Sequence, residues 1–327
     1  MAKTEVDAAP IAGRLAHFPM AWFAMVMGTS GVALAWRKGV DVWGLPSWPG
    51  AVLAAMAGML FLAFAMAQGL RFWNHPAQVK AEWHHPVRMN FFPTVTISLV
   101  LLGMVLAPWE AGLARGLWSV GTAGQLLLTL LIMGQWIDHE HVELHHINPA
   151  WFIPVVGNIL VPIAGVHFAP AEISWFFFSL GLFFWVVLFT LLFYRMVFHS
   201  ELPRRLIPTL FILMAPPAVG FLSWVHLVGH LDAPGRILYH LALFTTLLIF
   251  TLSRRFVGLP FFLSWWAYSF PLAAMTVATL VYFQHTGLVA FQWLGAALLT
   301  LLGLVFILLL WRTLKAVRHR EICVEEG

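Results

Sequence analysis

Histidines are the residues of this sequence whose type and spacing come closest to a chemical site. The densest group is the run Asp138-His139-Glu140-His141-Val142-Glu143-Leu144-His145-His146. Its members His141 and His145 have the i, i+4 spacing of a metal-binding pair on a helix. The run lies in a polar linker between apolar segments, however, where histidine side chains can simply be solvated. The sequence therefore predicts neither a bound metal nor a cofactor.

A second histidine pair, His226 and His230, lies near the end of an apolar segment. These side chains are also four residues apart and could meet Asp232 or His240. Histidines placed where a helix leaves a membrane readily find polar partners, so we interpret the pair as interfacial. The sequence contains no Walker loop, dinucleotide fingerprint, nucleophile elbow or cysteine cluster. We therefore expect neither ATP-driven nor redox chemistry, and no enzyme activity.

The elements that position these residues must lie in a lipid bilayer. Of the 327 residues, 61% are hydrophobic and 10% are charged, and the mean hydropathy is +0.85. A soluble chain carries about 25% charged residues. Cys323 is the single cysteine, so an internal disulfide is impossible. The isoelectric point near 9.6 reflects basic residues at the ends of apolar segments, and we expect no nucleic-acid partner.

Ten long apolar segments predict an all-α integral membrane protein with ten transmembrane helices. In windows of about 19 residues, the predicted spans are residues 18–36, 49–72, 90–107, 114–137, 150–168, 172–198, 206–230, 235–253, 260–284 and 287–312. Mostly short turns follow the odd-numbered spans and longer polar linkers follow the even-numbered ones, which indicates five helical hairpins. We expect a single domain over residues 1–327, with short tails at 1–16 and 314–327.

The basic residues of the loops predict the orientation of the chain. Of the 18 Lys and Arg residues, all but four fall before span 1 or after even-numbered spans. The four exceptions are Arg37, Lys38, Arg115 and Arg236. By the positive-inside rule both termini are cytoplasmic. We expect a multi-pass protein of the bacterial inner (plasma) membrane.

Prolines divide the spans into two classes. The odd-numbered spans carry interior prolines and the even-numbered spans carry none. Proline removes a backbone hydrogen bond and kinks a helix, and in lipid the freed carbonyl needs a neighbouring helix or a water-filled cavity. Five kinked helices alternating with five straight ones predict a quasi-five-fold arrangement, in which an inner ring of odd spans forms a central pore.

Small and polar residues are frequent in the odd spans. They fit a pore lining, and they equally allow close packing between helices; the two roles are compatible. The candidate pore-lining residues are Gly28, Thr29, Ser30, Pro93, Thr94, Pro154, Asn158, Pro208, Pro216, Ser269 and Pro271.

The middle of every predicted span is free of Asp, Glu, Lys and Arg. Proton-coupled transporters usually place ionisable relays at this depth. Their absence favours a passive conduit, in which selectivity rests on pore diameter, dipoles and hydrophobic constrictions. Kinked helices can also point their positive N-terminal ends at an anion.

Four segments together resemble one known family. They are Glu82-Trp83-His84-His85-Pro86-Val87-Arg88, Gly121-Thr122-Ala123-Gly124-Gln125, Asn148-Pro149-Ala150-Trp151-Phe152-Ile153-Pro154 and Trp265-Trp266-Ala267-Tyr268-Ser269-Phe270-Pro271. In this order and at these span positions, they resemble the tellurite-resistance/dicarboxylate transporter family, which includes bacterial TehA and the plant guard-cell slow anion channels. The resemblance covers nearly the whole chain.

The resemblance implies a homotrimer in which each protomer has its own anion pore. It also implies a phenylalanine gate in the middle of span 9, which falls at Phe270 because Phe261 and Phe262 lie nearer the start of the helix. The small inorganic or organic anions that such a pore conducts are then the expected partners. The alternative is a secondary transporter or exporter of C4-dicarboxylate, sulfite or tellurium oxyanions, in which His226 or His230 assists protonation.

Overall fold

The computed structural model describes residues 11–138, 143–319 and 321 of the chain, and within these residues the regular structure is entirely helical. His141, one half of the histidine pair in the polar linker, lies outside the described residues. The spans run Met20–Trp43, Trp48–Asn74, Arg88–Leu106, Ala111–Asp138, Pro149–Phe168, Ala171–Phe198, Arg204–Val228, Ala233–Thr251, Leu263–Thr286 and Val289–Arg318.

The predicted boundaries agree with these helices to within three residues, except at the ends of spans 1 and 10, which continue to Trp43 and Arg318. Nine of the described helices are long and apolar enough to cross a membrane. Span 1 is less apolar because it contains Gly28-Thr29-Ser30-Gly31 and ends with Arg37, Lys38 and Asp41. Its core helix Phe23–Trp43 nevertheless has 21 residues, long enough for a bilayer whose crossing needs about 20.

Odd and even spans differ sharply in burial. In spans 3, 5, 7 and 9, between 72% and 78% of the most apolar stretch is buried, against 17% to 39% in the five even spans. The even spans instead expose large apolar side chains such as Leu62, Phe183 and Leu304. Because lipid tails can cover such side chains, the even spans form an outer, lipid-facing layer around the odd ones.

The odd spans are interrupted helices, and the even spans are continuous. Each odd span begins with a 3₁₀ segment before its α-helix: Met20–Trp22, Arg88–Phe91, Pro149–Trp151, Arg204–Met214 and Leu263–Tyr268. Span 5 contains a further 3₁₀ segment at Gly157–Leu160. Prolines lie in or within three residues of these segments, and a missing N–H breaks the α-helical hydrogen-bond pattern. The predicted kinks are therefore confirmed as changes of helix type.

The inner helices close into a ring. Span 1 packs against span 9, span 9 against span 7, span 7 against span 5, span 5 against span 3, and span 3 against span 1. Each even span packs on the odd span of its own hairpin and touches the next odd span in sequence, with span 10 returning to span 1. The predicted quasi-five-fold arrangement of five hairpins is confirmed. We call the side where the odd spans begin the near face, and the opposite side the far face.

A buried polar network holds the interruption of span 5 in place. Gln125 in span 4 accepts a hydrogen bond from Thr96 Oγ1 at 2.6 Å and donates through Nε2 to the carbonyl of Pro154 at 2.9 Å. Thr129 Oγ1 lies 2.6 Å from the same carbonyl, and Asn158 donates to Thr129 Oγ1 at 2.9 Å. A carbonyl left without its helical partner is thus satisfied by a neighbouring helix, as a low-dielectric membrane requires.

We expect Gln125→Leu, which has nearly the same volume, to lower the free energy of unfolding by about 1–3 kcal/mol, because it removes the buried hydrogen bonds from Thr96 and to the Pro154 carbonyl. The Thr96 hydroxyl keeps the Pro93 carbonyl as a partner, and the Pro154 carbonyl keeps Thr129. Thr300→Val is the matched control, since exposed Thr300 bonds only to Ala296 in its own helix. Thermal unfolding in detergent compares the stabilities of the Gln125→Leu and Thr300→Val variants. Equal stability of the two variants would contradict this role for Gln125.

Candidate functional site

The inner ring encloses a cavity of about 1250 Å³ that reaches the near face. All five odd spans contribute to its wall, and the linkers of the near face surround its mouth. The cavity lies where the sequence predicts a central pore.

The cavity ends in a layer of large apolar side chains. Each odd span supplies one of them, and each lies three residues beyond another wall residue of the same span. We call this layer the apolar collar: Met27, Ile97, Leu160, Val219 and Phe270. Of the described residues, those beyond the collar toward the far face do not line the cavity, with Pro271 beside Phe270 at its edge. Among the described residues, the cavity therefore ends at the collar.

Phe270 is the one aromatic member of the collar. Its side chain is partly buried, and its ring lies against Gly31 of span 1, where an added Cβ would lie 3.5 Å from Phe270 Cδ2. Within the described residues, no aromatic ring stacks on it or meets it edge to face. The residue also lies in the first turn of the helix Ser269–Thr286, directly after the 3₁₀ segment of span 9. The ring thus occupies the end of the cavity and packs against a residue without a side chain.

The changes of helix type all occur at the cavity wall. The α-helices of spans 1, 3, 7 and 9 begin at Phe23, Thr94, Ala215 and Ser269, and residues at or next to each of these positions line the cavity. These are changes within continuous helical spans, because the N–H groups of Phe23, Ala215 and Ser269 donate to carbonyls of the preceding 3₁₀ segments.

Basic residues predominate at the mouth of the cavity. The arginines and histidines that line it are His17, Arg71, His85, Arg88, His145, His146 and Arg205. The acidic side chains that line it among the described residues are Glu82 and Glu321. Glu82 is neutralised by Arg71, at 2.5 Å. The remaining positive potential attracts anions to the mouth.

His85 contributes to the mouth as a neutral acceptor. Its Nδ1 accepts hydrogen bonds from the backbone N–H groups of Val87 and Arg88, at 3.1 and 3.2 Å. Burial, together with the charges of Arg88 and Arg205, lowers the pKa of this imidazole below its ordinary value. The ring is therefore neutral at pH 7, and the arginines carry the fixed positive charge of the mouth.

Comparison with known proteins agrees with this architecture. Residues 17–314 match the family described as SLAC1, voltage-dependent anion channel. The chain belongs to the SLAC1 family. The resemblance found in the four sequence segments is thereby confirmed, and the protein is a multi-pass member of a family of anion channels and transporters.

Several curated proteins are similar to this SLAC1-family chain over most of its length. An uncharacterized transporter of Methanocaldococcus jannaschii is 28% identical over 330 residues, covering 94% of this chain and 96% of the relative. The S-type anion channel SLAH3 of Arabidopsis thaliana is 31% identical over 278 residues, which are 82% of this chain but 43% of the plant protein. The tellurite resistance protein TehA homolog of Haemophilus influenzae is 24% identical over 274 residues, 81% of each chain.

Four of the residues predicted to line the pore of this SLAC1-family protein lie at the cavity wall: Thr94, Pro216, Phe270 and Pro271. Thr94 is buried, and its hydroxyl donates toward the carbonyls of Met20 and Phe91. It therefore joins spans 1 and 3 at the wall.

The other eight predicted residues do not line the cavity: Gly28, Thr29, Ser30, Pro93, Pro154, Asn158, Pro208 and Ser269. Gly28 packs directly against Ser269, so both serve the close contact between spans 1 and 9. Asn158 is turned to the network around Thr129, and Thr29 donates to the Met25 carbonyl of its own helix. Gly28 and Ser269 therefore fit close helix packing, the alternative role considered for small residues.

Four collar residues escaped prediction: Met27, Ile97, Leu160 and Val219. They are ordinary apolar residues in a sequence that is 61% hydrophobic, so residue type alone does not distinguish them from lipid-facing ones. For Ile97 and Val219 a signal was present in the spacing, because each follows a predicted lining residue, Thr94 or Pro216, by three positions. That spacing places both side chains of a pair on one helix face.

Proposed function

We propose that this protein is a passive, phenylalanine-gated anion channel of the bacterial inner membrane, in which Phe270 closes the pore at the apolar collar. The observation that carries the proposal is a cavity that leads from a basic mouth, along the interrupted inner helices, to a collar without any ionisable side chain. Membership in the SLAC1 family supports the same activity.

Each part of this path has a physical role in the proposal. The arginines of the mouth raise the local concentration of anions. The collar is a hydrophobic constriction, which excludes water and ions while it is closed. Because it holds no proton-binding group, movement of the anion is not coupled to movement of a proton at this depth.

The positive-inside rule supports a cytoplasmic location for the near face and for both termini. The channel would then open its cavity to the cytoplasm. We further propose a homotrimer with one pore per protomer, in which exposed apolar side chains of the even spans, such as Leu62 and Phe183, meet lipid or another protomer.

A secondary transporter or exporter of C4-dicarboxylate, sulfite or tellurium oxyanions is the second candidate. A cavity that opens to one face and is closed at the other is also the shape of an alternating-access carrier. The TehA homolog among the similar proteins carries tellurite resistance in its name.

Flux into proteoliposomes distinguishes the two candidates. We expect the uptake of chloride, nitrate, sulfite or malate through the Phe270→Ala variant to rise with anion concentration without early saturation, while an imposed pH gradient drives no accumulation of the anion. Empty liposomes and a variant with a bulkier collar, Val219→Phe, provide the low-flux controls. Uptake that saturates and follows the pH gradient would contradict the channel and support the carrier.

A further inference from the structure

The near-face end of span 10 carries an arginine that lies between two tryptophans. The Cζ atom of Arg312 is 5.1 Å from the ring centroid of Trp311 on the same helix and 5.7 Å from that of Trp265 in span 9. The Nζ atom of Lys315 lies 5.8 Å from the Trp311 ring. Cations within about 6 Å of an aromatic face are attracted by the ring. We call Trp265, Trp311, Arg312 and Lys315 together the tryptophan–arginine site.

The two cations of this site have no oxygen acceptor in the described part of the chain. The side chains of Arg312 and Lys315 form neither a hydrogen bond nor an ion pair there. The Nε–H of Arg312 is buried without a partner, whereas its terminal nitrogens reach the surface of a partly exposed side chain. A guanidinium has five N–H donors and no acceptor. Its hydrogen-bonding capacity is therefore available to a ligand that offers oxygen atoms.

Two more polar groups next to the arginine lack a partner among the described residues. Trp265 is buried, and its Nε1–H has no acceptor. The ring of Tyr268 lies 5.8 Å from that of Trp265, and its buried hydroxyl is also without a partner. Buried polar groups normally form hydrogen bonds. The protein side of the site thus offers donors from spans 9 and 10 and is short of acceptors, which suits a phosphate group.

The outer side of the site is apolar. Trp311, Leu314 and Val317 lie on the same helix as the two cations, and each is at least 50% exposed. Apolar side chains beside cations at the end of a membrane span match a phospholipid, whose chains cover the apolar side chains while its phosphate meets the cations. Free inorganic phosphate would contact the cations but would leave the apolar surface uncovered.

The site is built on a fixed contact between two spans. Trp266 Nε1 donates to Thr313 Oγ1 at 3.0 Å, and both side chains are buried. These residues follow Trp265 and Arg312 in the sequence. The 3₁₀ segment Leu263–Tyr268 of span 9 is therefore held against the end of span 10, and a ligand would meet side chains that are already in position.

We propose that the tryptophan–arginine site binds the phosphate group of an acidic phospholipid in the leaflet at the near face. Arg312 and Lys315 bind the phosphate oxygens, and the acyl chains lie along Trp311 and Leu314. A zwitterionic lipid binds less tightly, because its own ammonium group offsets the charge of its phosphate. The inference concerns lipid binding alone and does not depend on the proposed channel.

Native mass spectrometry of the full chain, incubated with equal amounts of dioleoyl phosphatidylglycerol and dioleoyl phosphatidylcholine, tests the site. We expect bound phosphatidylglycerol to exceed bound phosphatidylcholine by roughly tenfold. The double variant Arg312→Gln/Lys315→Gln should lose this preference. Lys80→Gln/Arg254→Gln is the matched control, because it removes two exposed positive charges from the same face outside the site, and it should keep the preference.

Thermal unfolding in detergent gives a second readout and separates lipid from free phosphate. Phosphatidylglycerol should raise the melting temperature of the unchanged protein by about 3 °C or more relative to phosphatidylcholine, and excess sodium phosphate should not. Lys315→Gln changes only an exposed side chain and should roughly halve the lipid effect, even where the double variant fails to fold. Equal binding of the two lipids, a preference that survives in the double variant, or equal stabilisation by sodium phosphate would overturn the inference.

Discussion

Replacing Phe270 with alanine should raise the anion conductance roughly tenfold or more, because it removes the largest side chain of a collar whose closure depends on apolar bulk. The ring packs against Gly31, which has no side chain that could replace it as a plug. It also lacks a stacked aromatic neighbour among the described residues. The other four collar residues come from different spans and remain where they are, so the variant should widen the pore without disturbing its wall.

Two further alanine variants test whether the increase in conductance is specific to Phe270. Phe262 also lines the cavity, but it lies at the start of span 9 near the mouth, so Phe262→Ala should conduct like the unchanged protein. Leu160→Ala removes a smaller side chain from the collar itself, and a smaller increase is expected. Single-channel recording measures all three. A Phe270→Ala channel that conducts no better than Phe262→Ala would contradict the assignment of the gate.

Replacing Glu82 with alanine should lower the free energy of unfolding by about 3–5 kcal/mol, because it leaves the Arg71 guanidinium buried without its counter-charge. Both side chains of this ion pair are 4% exposed, and the charged atoms lie 2.5 Å apart. Glu82 also accepts the backbone N–H of Met20 at 2.9 Å, and Arg71 donates to the carbonyl of Ala16. The pair therefore ties the end of span 2 and its following helix Pro76–Trp83 to the start of span 1.

An exposed ion pair of the same face is the matched control. Arg255 and Glu201 lie 3.5 Å apart, with 52% and 81% of their side chains exposed. Because solvent screens such a pair, Glu201→Ala should cost no more than about 1 kcal/mol. Thermal unfolding in detergent, followed by circular dichroism, compares the two variants. Similar melting temperatures for Glu82→Ala and Glu201→Ala would show that the buried ion pair adds little to the stability of the fold.

The architecture was predictable because it depends on strong and repeated patterns. A span of about 20 apolar residues is hard to mistake, and the ten spans alternate between those with and those without an interior proline. The structure confirms that alternation as buried interrupted helices and exposed continuous ones. Prolines such as Pro208 fix the positions where α-helix cannot continue, so the sequence also indicates which helices must be irregular.

The pore lining was less predictable because it depends on the rotation of each helix. Ser269 and Phe270 are neighbours in sequence, yet Ser269 packs against Gly28 of span 1 while Phe270 reaches the cavity. Small residues can lie beside a pore or between two packed helices, and residue type does not distinguish the two positions. Asn158 shows the same ambiguity: it looks like a polar lining residue, but its amide donates to Thr129 behind the wall.

The proposed role of Phe270 as a gate comes from the resemblance to a family, and residue type alone would not single it out among 28 phenylalanines. The structure adds the other four members of the apolar collar, which supply the constriction that a gate needs. The structure also shows a packing role for the segment Gly121-Thr122-Ala123-Gly124-Gln125. Gly121 allows the backbone of Thr96 to approach within contact distance, so that Gln125 on the same helix face reaches span 3 and span 5.

The most direct test of an anion-selective pore is the reversal potential of Phe270→Ala channels in a planar bilayer under a tenfold gradient of potassium chloride. An anion pore should reverse close to the chloride equilibrium potential, about 59 mV from zero for a singly charged ion. Replacing chloride with nitrate, sulfite or malate on one side then ranks the permeant anions. A reversal potential at zero, or one displaced toward the potassium equilibrium potential, would contradict the account.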